Sequence, residues 1–189
     1  MPRSRREFPP DSILHIVNRG VERRQLFAEP RDYGRFLRLV DAALAKAPVG
    51  LYAYALMPNH WHLLLQTPTP ERLSQFMHRV TSRHAALFRK DSQTTGLGYV
   101  YQGRYRAHLV ETDNRYLLTL RYIEANPLRA GLVERAEHWR WSSLHERLRA
   151  PKRISDGPLP LPFPREWAAI VNGVDNFGVM TEAEEEVWP

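Results

Sequence analysis

Residues 51–66 constrain this chain more than any other stretch. LYAYALM and HWHLLLQ are largely apolar runs separated only by Pro58-Asn59, a turn-forming pair, and together they read as a β-hairpin. Within the second run His60 and His62 stand two residues apart. Side chains alternate faces along a strand, so both imidazoles project from one surface. Two histidines converging just past a hairpin bend suit a metal ion, provided that a third ligand arrives from elsewhere in the chain.

Composition limits what that ligand can be. The 189 residues include no cysteine, which excludes disulfides, thiolate zinc sites and cysteine nucleophiles and leaves His, Asn, Gln or carboxylates. A hydrophobic content of 43% is that of a globular protein with one cored domain, and no run approaches the roughly 18 apolar residues of a membrane span. The opening MPRSRREFPPDS is basic but lacks the apolar segment of a secretory signal, so a cytoplasmic location is expected.

Charge is unevenly spread. Residues 1–150 carry 24 basic and 14 acidic side chains, net +10, whereas 151–189 carry 3 and 7, net −4. Apart from Lys46 and Lys90 the cations of the first part are arginines, whose fork matches phosphate and whose plane stacks on bases. A nucleic-acid partner is the expectation. The plainer reading is that arginine reflects base composition and solvated helix faces.

Periodicity and punctuation order the rest. A strand over 13–17 ends in the turn Asn18-Arg19-Gly20, and Arg19, Arg23 and Arg24 crowd one loop. A helix over 33–47, capped by Asp32, precedes the hairpin. Leu73, Phe76, Met77, Val80, His84 and Leu87 mark a second amphipathic helix. Residues 99–112 read as a strand with Arg104 and Arg106 on one face, either a rail for phosphates or an edge protected by charge. A third helix runs from Asp113 to about Ala125, ended by Pro127. On it Tyr116, Leu117, Leu120 and Ile123 form the core stripe, while Arg115, Thr119, Tyr122 and Asn126 lie on the other side, with Tyr122 and Asn126 one turn apart. A short helix at 144–148 closes a domain of residues 1–149. Residues 150–189 then read as a proline-rich linker and an acidic tail, in which 165–179 are apolar enough to dock weakly.

The combination of YALMPNHWHLLLQTP with RYIEANPLRAGLV and WRWSS, at this separation, resembles the REP-associated tyrosine transposases, a branch of the single-tyrosine HUH transposases, over about residues 8–146. The resemblance implies an α+β fold: a ferredoxin-like antiparallel sheet with two helices packed on one face, plus a helix that carries the catalytic tyrosine against the histidines. It gives His60 and His62 the part of the metal-binding histidines and Tyr122 that of the nucleophile. Asn126 falls where many relatives place a glutamine as third ligand, and is one methylene shorter. Mg²⁺ or Mn²⁺ is the implied ion; ligand type alone also admits zinc.

The implied reaction is cleavage of single-stranded DNA next to a hairpin, a REP-like palindrome, through a 5′-phosphotyrosine, with rejoining to another strand. No residue identifies itself as the base that takes the tyrosine's proton. Arg19, Arg23, Arg24, Arg104, Arg106 and Arg115 are the candidate DNA contacts. No membrane is involved, and the protein is expected to act as a monomer or homodimer. The competing expectation is a hairpin-binding protein derived from a transposase, without chemistry. The other six histidines, His15 and His108 among them, read as structural.

Overall fold

The protein is described here from a computed structural model, covering residues 7–92, 98–149, 153–155 and 166–173. The expected proline-rich linker lies outside these residues except for 153–155, and the acidic run 182–186 lies wholly outside them.

Four strands, β1 (Ser12–Arg19), β2 (Gly50–Met57), β3 (His60–Thr67) and β4 (Arg106–Val110), form one antiparallel sheet in the order β2-β3-β1-β4. Helix α1 (Pro30–Leu44) joins β1 to β2, and α2 (Pro70–Asp91) joins β3 to β4. This is the βαββαβ arrangement of a ferredoxin-like fold, as expected. The hairpin is tight, with Met57 paired to His60 across Pro58-Asn59. The Pro58 carbonyl accepts from the amides of Leu26 and Phe27 at 2.7 and 3.0 Å, which ties the bend to the segment leading into α1.

Alternation along the strands divides the molecule into two layers. Leu14, Ile16, Trp61, Leu63 and Leu65 point to α1 and α2, where they pack with Phe36, Val40, Leu73, Phe76 and Met77. Ala53, Ala55, Leu64 and Val110 point the other way, onto Tyr116, Leu120 and Ile123 of helix α3 (Asp113–Arg129). The small side chains at 53 and 55 let α3 lie close to the sheet.

Three expectations are corrected. Helix α1 begins at Pro30, because Glu29 and Asp32 form a reciprocal capping box upstream of the expected start. Helix α3 runs through Pro127 to Arg129 instead of ending near Ala125. Pro127 is buried and Leu128 packs on the same core, so apolar contact offsets the lost backbone hydrogen bond. Of residues 99–112 only 106–110 are strand. Tyr101 makes a single bridge to Gly20 and turns inward, where its hydroxyl meets His84 Nδ1 at 2.7 Å and accepts from Trp61 Nε1 at 3.3 Å. Arg104 therefore stands outside the strand and does not share a strand face with Arg106.

Beyond α4 (Ser143–Arg147), helix α5 (Trp167–Asn172) docks on α3 by burying Trp167 and Val171. Glu124 of α3, fully buried, accepts from Ser143 Oγ at 2.6 Å, Trp167 Nε1 at 2.6 Å and Arg147 Nη2 at 3.3 Å. A buried carboxylate with three donors fixes α3 two residues from Tyr122.

Candidate functional site

The site lies on the α3 side of the sheet, at the end of the strands where Arg19 pairs with His60. Register puts Arg106, Val17 and His62 in one cross-strand row, with Val17 in the middle, and His108, His15 and Leu64 in the next, all pointing to one face. Four histidines thus share a surface on three adjacent strands. Tyr122 reaches them from above: its ring is edge-on to His62 at 5.8 Å and to His15 at 6.1 Å between centroids. The rings of His60 and His62 are 5.0 Å apart.

Burial keeps these imidazoles neutral. It lowers His60 to about 4, with the Arg19 guanidinium adding to the effect. His62 and His15, both fully buried, are driven well below the ordinary histidine range for the same first reason; neighbouring histidines and, for His62, Arg19 lower them further. Neutral rings carry lone pairs. Nδ1 of His60 sits 2.7 Å from Asn59 Oδ1 and donates there, which leaves Nε2 as the acceptor. Nδ1 of His62 sits 2.9 Å from His15 Nε2, and when it donates the lone pair falls on Nε2. That Nε2 is buried and has no hydrogen-bond partner. An orphaned buried acceptor is costly unless something coordinates it, so the pair fits a cation. Among the described residues no group of three or more His, Cys, Asp or Glu side chains could hold a metal, and a third donor must come from an amide, a substrate or water.

Asn126 is the amide one turn beyond Tyr122. It is half-buried, and its Nδ2 donates to the Tyr122 carbonyl at 3.3 Å, within its own helix. The expectation that residues 115, 119, 122 and 126 lie away from the core holds only in part. Thr119 is buried and Tyr122 half-buried, because this row of α3 flanks the apolar stripe and also faces the sheet. Arg129 stacks over the Tyr122 ring with its guanidinium carbon 5.4 Å from the centroid.

The six arginines singled out from the sequence separate into groups. Arg19 is central: its Nε is buried without a hydrogen-bond partner, and its pKa is lowered by burial and by Arg23 and Arg106, against an opposing pull from Tyr122. Arg19, Arg104 and Arg106 line one cleft of about 160 Å³. Arg115, in the first turn of α3, lies near enough to His108 to lower its pKa, after burial and Arg106. Arg23 and Arg24 are exposed in and after a 3-10 turn, Val21–Arg23. This turn needs Gly20, since a Cβ there would stand 2.3 Å from the Arg24 carbonyl oxygen. Neither Arg23 nor Arg24 is among the residues that line the cleft.

His15 and His108 were missed as members of the site. The available signal was strand alternation: a histidine at 15 in an otherwise apolar strand shares a face with Arg19.

The family described as "Transposase IS200 like" matches residues 10–126. A protein of Haemophilus influenzae described as a REP-associated tyrosine transposase is 29% identical over 111 residues, 54% of this chain and 63% of that protein. The REP-associated tyrosine transposase of Escherichia coli K12 is 24% identical over 124 residues, 66% of each chain. The matches thus span slightly less than two thirds of these relatives. A solved structure of a REP-associated tyrosine transposase bound to a REP hairpin has the same fold, with a TM-score of 0.60 over 86% of this chain and 95% of that one at 19% identity. No helix among the described residues is long and apolar enough to cross a membrane.

Proposed function

This chain belongs to the IS200-like transposase family, with REP-associated tyrosine transposases among its relatives, and from that premise we propose that it is a metal-dependent single-stranded DNA endonuclease and strand transferase. Its substrate is a hairpin, a REP-like palindrome, with adjoining single strand; the hairpin-bound relative supports that choice. One observation supports the reading. A tyrosine from α3 lies edge-on to a buried histidine whose Nε2 has no hydrogen-bond partner, so the residues proposed as nucleophile and metal ligand come from distant parts of the chain to one patch.

His60 and His62 would hold Mg²⁺ or Mn²⁺, with Asn126 as the candidate third donor. When bound, such an ion neutralises the scissile phosphate and acts as a Lewis acid. His15 is a positioning residue: with His62 Nδ1 donating to its Nε2, it holds the His62 ring and leaves His62 Nε2 for the ion. Arg19 and Arg106 bring fixed positive charge to the non-bridging oxygens in a partly dry site. The Tyr122 hydroxyl attacks phosphorus in line. The new tyrosyl P–O bond forms as the bond to the upstream 3′ oxygen breaks; the phenol's proton is lost and the leaving oxygen takes one up. The products are a 5′-phosphotyrosine and a free 3′-hydroxyl. Attack by the 3′-hydroxyl of another strand reverses the step, so cutting and joining need no ATP.

Incubation with hairpin oligonucleotides and Mg²⁺ or Mn²⁺ should give a covalent protein–DNA species that EDTA abolishes. Tyr122→Phe should bind the DNA and form no adduct. An adduct that survives this substitution overturns the nucleophile. Hairpin binding with no adduct from the wild-type protein in either metal would instead favour a non-catalytic hairpin-binding protein.

A further inference from the structure

Helix α2 presents Ser74, His78, Ser82 and Arg89 along one side, spaced so that they form a single polar stripe next to its buried face. Across from this stripe runs the segment from Tyr99 to Tyr105, and the two enclose a groove of about 600 Å³. The groove shares Asn18, Gln102, Gly103 and Arg104 with the cleft that holds Arg19 and Arg106. It is therefore continuous with the cleft of Arg19, whose cross-strand partner is His60.

Two features say what this groove takes. The first is charge. Arg89 and Arg104 line the groove, Arg19 and Arg106 line the cleft, and no carboxylate among the described residues lines either. A polyanion fits and a cationic or acidic-residue-seeking ligand does not. The second is Tyr99, 80% exposed, the most exposed large hydrophobic side chain among the described residues. It does not hang from a loose loop. Val100 accepts at its carbonyl from the Val21 amide at 3.0 Å, and Tyr101 is held inside by His84 and Trp61. Arg89 Nη2 donates to the Gly98 carbonyl at 3.2 Å, just before Tyr99. An anchored backbone thus holds an aromatic ring out in water beside two guanidinium groups, where the fold gains nothing from it.

We propose that this groove carries the unpaired strand adjoining the hairpin, with Tyr99 as the platform on which one of its bases stacks. Stacking needs a base with a free face, which a single strand offers and the interior of a duplex does not. The arginines follow the phosphates, and Ser74, His78 and Gln102 offer hydrogen bonds to base edges. The inference rests on the nucleic-acid reading above, but it concerns binding and does not require cleavage.

The test is fluorescence anisotropy in the Tyr122→Phe background, with a labelled DNA hairpin bearing a single-stranded flank and the same hairpin made blunt. Tyr99→Ala should weaken binding of the flanked hairpin by about tenfold, within the range of one lost base–aromatic stack, and leave the blunt hairpin unchanged. Tyr99→Trp should restore wild-type affinity. A 2-aminopurine placed along the flank should lose fluorescence at one position with Tyr99 present and not with Tyr99→Ala. Undiminished affinity of Tyr99→Ala for the flanked hairpin, or equal losses on both hairpins, overturns the proposal. Adduct formation by the protein with Tyr122 intact is scored separately, so a failed stacking test alongside a formed adduct removes only the groove, and the reverse removes only the chemistry.

Discussion

The two faces of this sheet are made from alternate residues of the same strands, yet they hold opposite chemistry. On β3, Trp61, Leu63 and Leu65 enter a closed apolar layer under α1 and α2, while His60 and His62 enter a layer in which buried nitrogen atoms lack hydrogen-bond partners. Polar groups buried in this way cost free energy, and a small domain tolerates them only where the rest of its core is well packed. The apolar face supplies that packing. Even the polar layer is apolar at its far end, where Leu64, Ala53 and Val110 hold α3 down and so fix the height of Tyr122 above the histidines.

The largest test of this division is Trp61→Ala against its neighbour His62→Ala. Loss of Trp61, fully buried, should cost about 3–5 kcal/mol in urea unfolding. Loss of His62 should cost less and remove Mn²⁺ binding by calorimetry. Equal stability losses would dissolve the distinction between the faces.

Acid acts on both layers. His84 under α2 and His60 above the sheet are each lowered to about 4, mainly by burial. A histidine with a depressed folded pKa contributes full stability above its unfolded value near 6.5, and that stability is lost as the pH falls from there towards about 4, because the unfolded chain binds the proton first. His84 alone accounts for a loss on the order of 3 kcal/mol. The urea midpoint in EDTA should fall steadily between these pH values, and His84→Gln should flatten the part of the slope that belongs to the apolar face. A flat profile in the unsubstituted protein would contradict the burial argument.

Within the polar layer, His15→Leu should weaken Mn²⁺ binding by about 10- to 100-fold, the usual cost of removing a ligand's outer partner. His15→Gln, which keeps a hydrogen-bonding group, should recover part of the loss. If both bind as the wild type does, His15 only fills space. The smallest effect belongs to a single phosphate contact. Arg106→Ala should weaken DNA binding modestly and lower the slope of log K against log salt by about 1, as expected for one phosphate contact. Arg24→Ala, outside the cleft, should leave both unchanged.

Much of this was readable from the chain because it depended on local rules. The hairpin and the common face of His60 and His62 follow from a turn pair and a two-residue period, and Tyr122 and Asn126 are neighbours by helical spacing alone. What depended on partners far along the chain was not readable. The His15–His62 hydrogen bond needs β1 to pair with β3 in one particular register. The burial of Glu124 depends on Trp167, which follows a segment with no local signal for where the chain returns. The inward turn of Tyr101, which breaks the expected strand and separates Arg104 from Arg106, is set by His84 on another element. Pro127 marked a helix end by local preference, and packing overrode it.

Tyr122 is the residue proposed to join DNA. Trypsin cuts after Arg115, Arg121 and Arg129, so Tyr116 and Tyr122 leave in separate peptides, 116–121 and 122–129. Mass spectrometry of a nuclease-trimmed, trypsin-digested adduct should find the nucleotide remnant on YIEANPLR. A remnant on YLLTLR, or on a peptide carrying Tyr101 or Tyr105, would contradict the site described here.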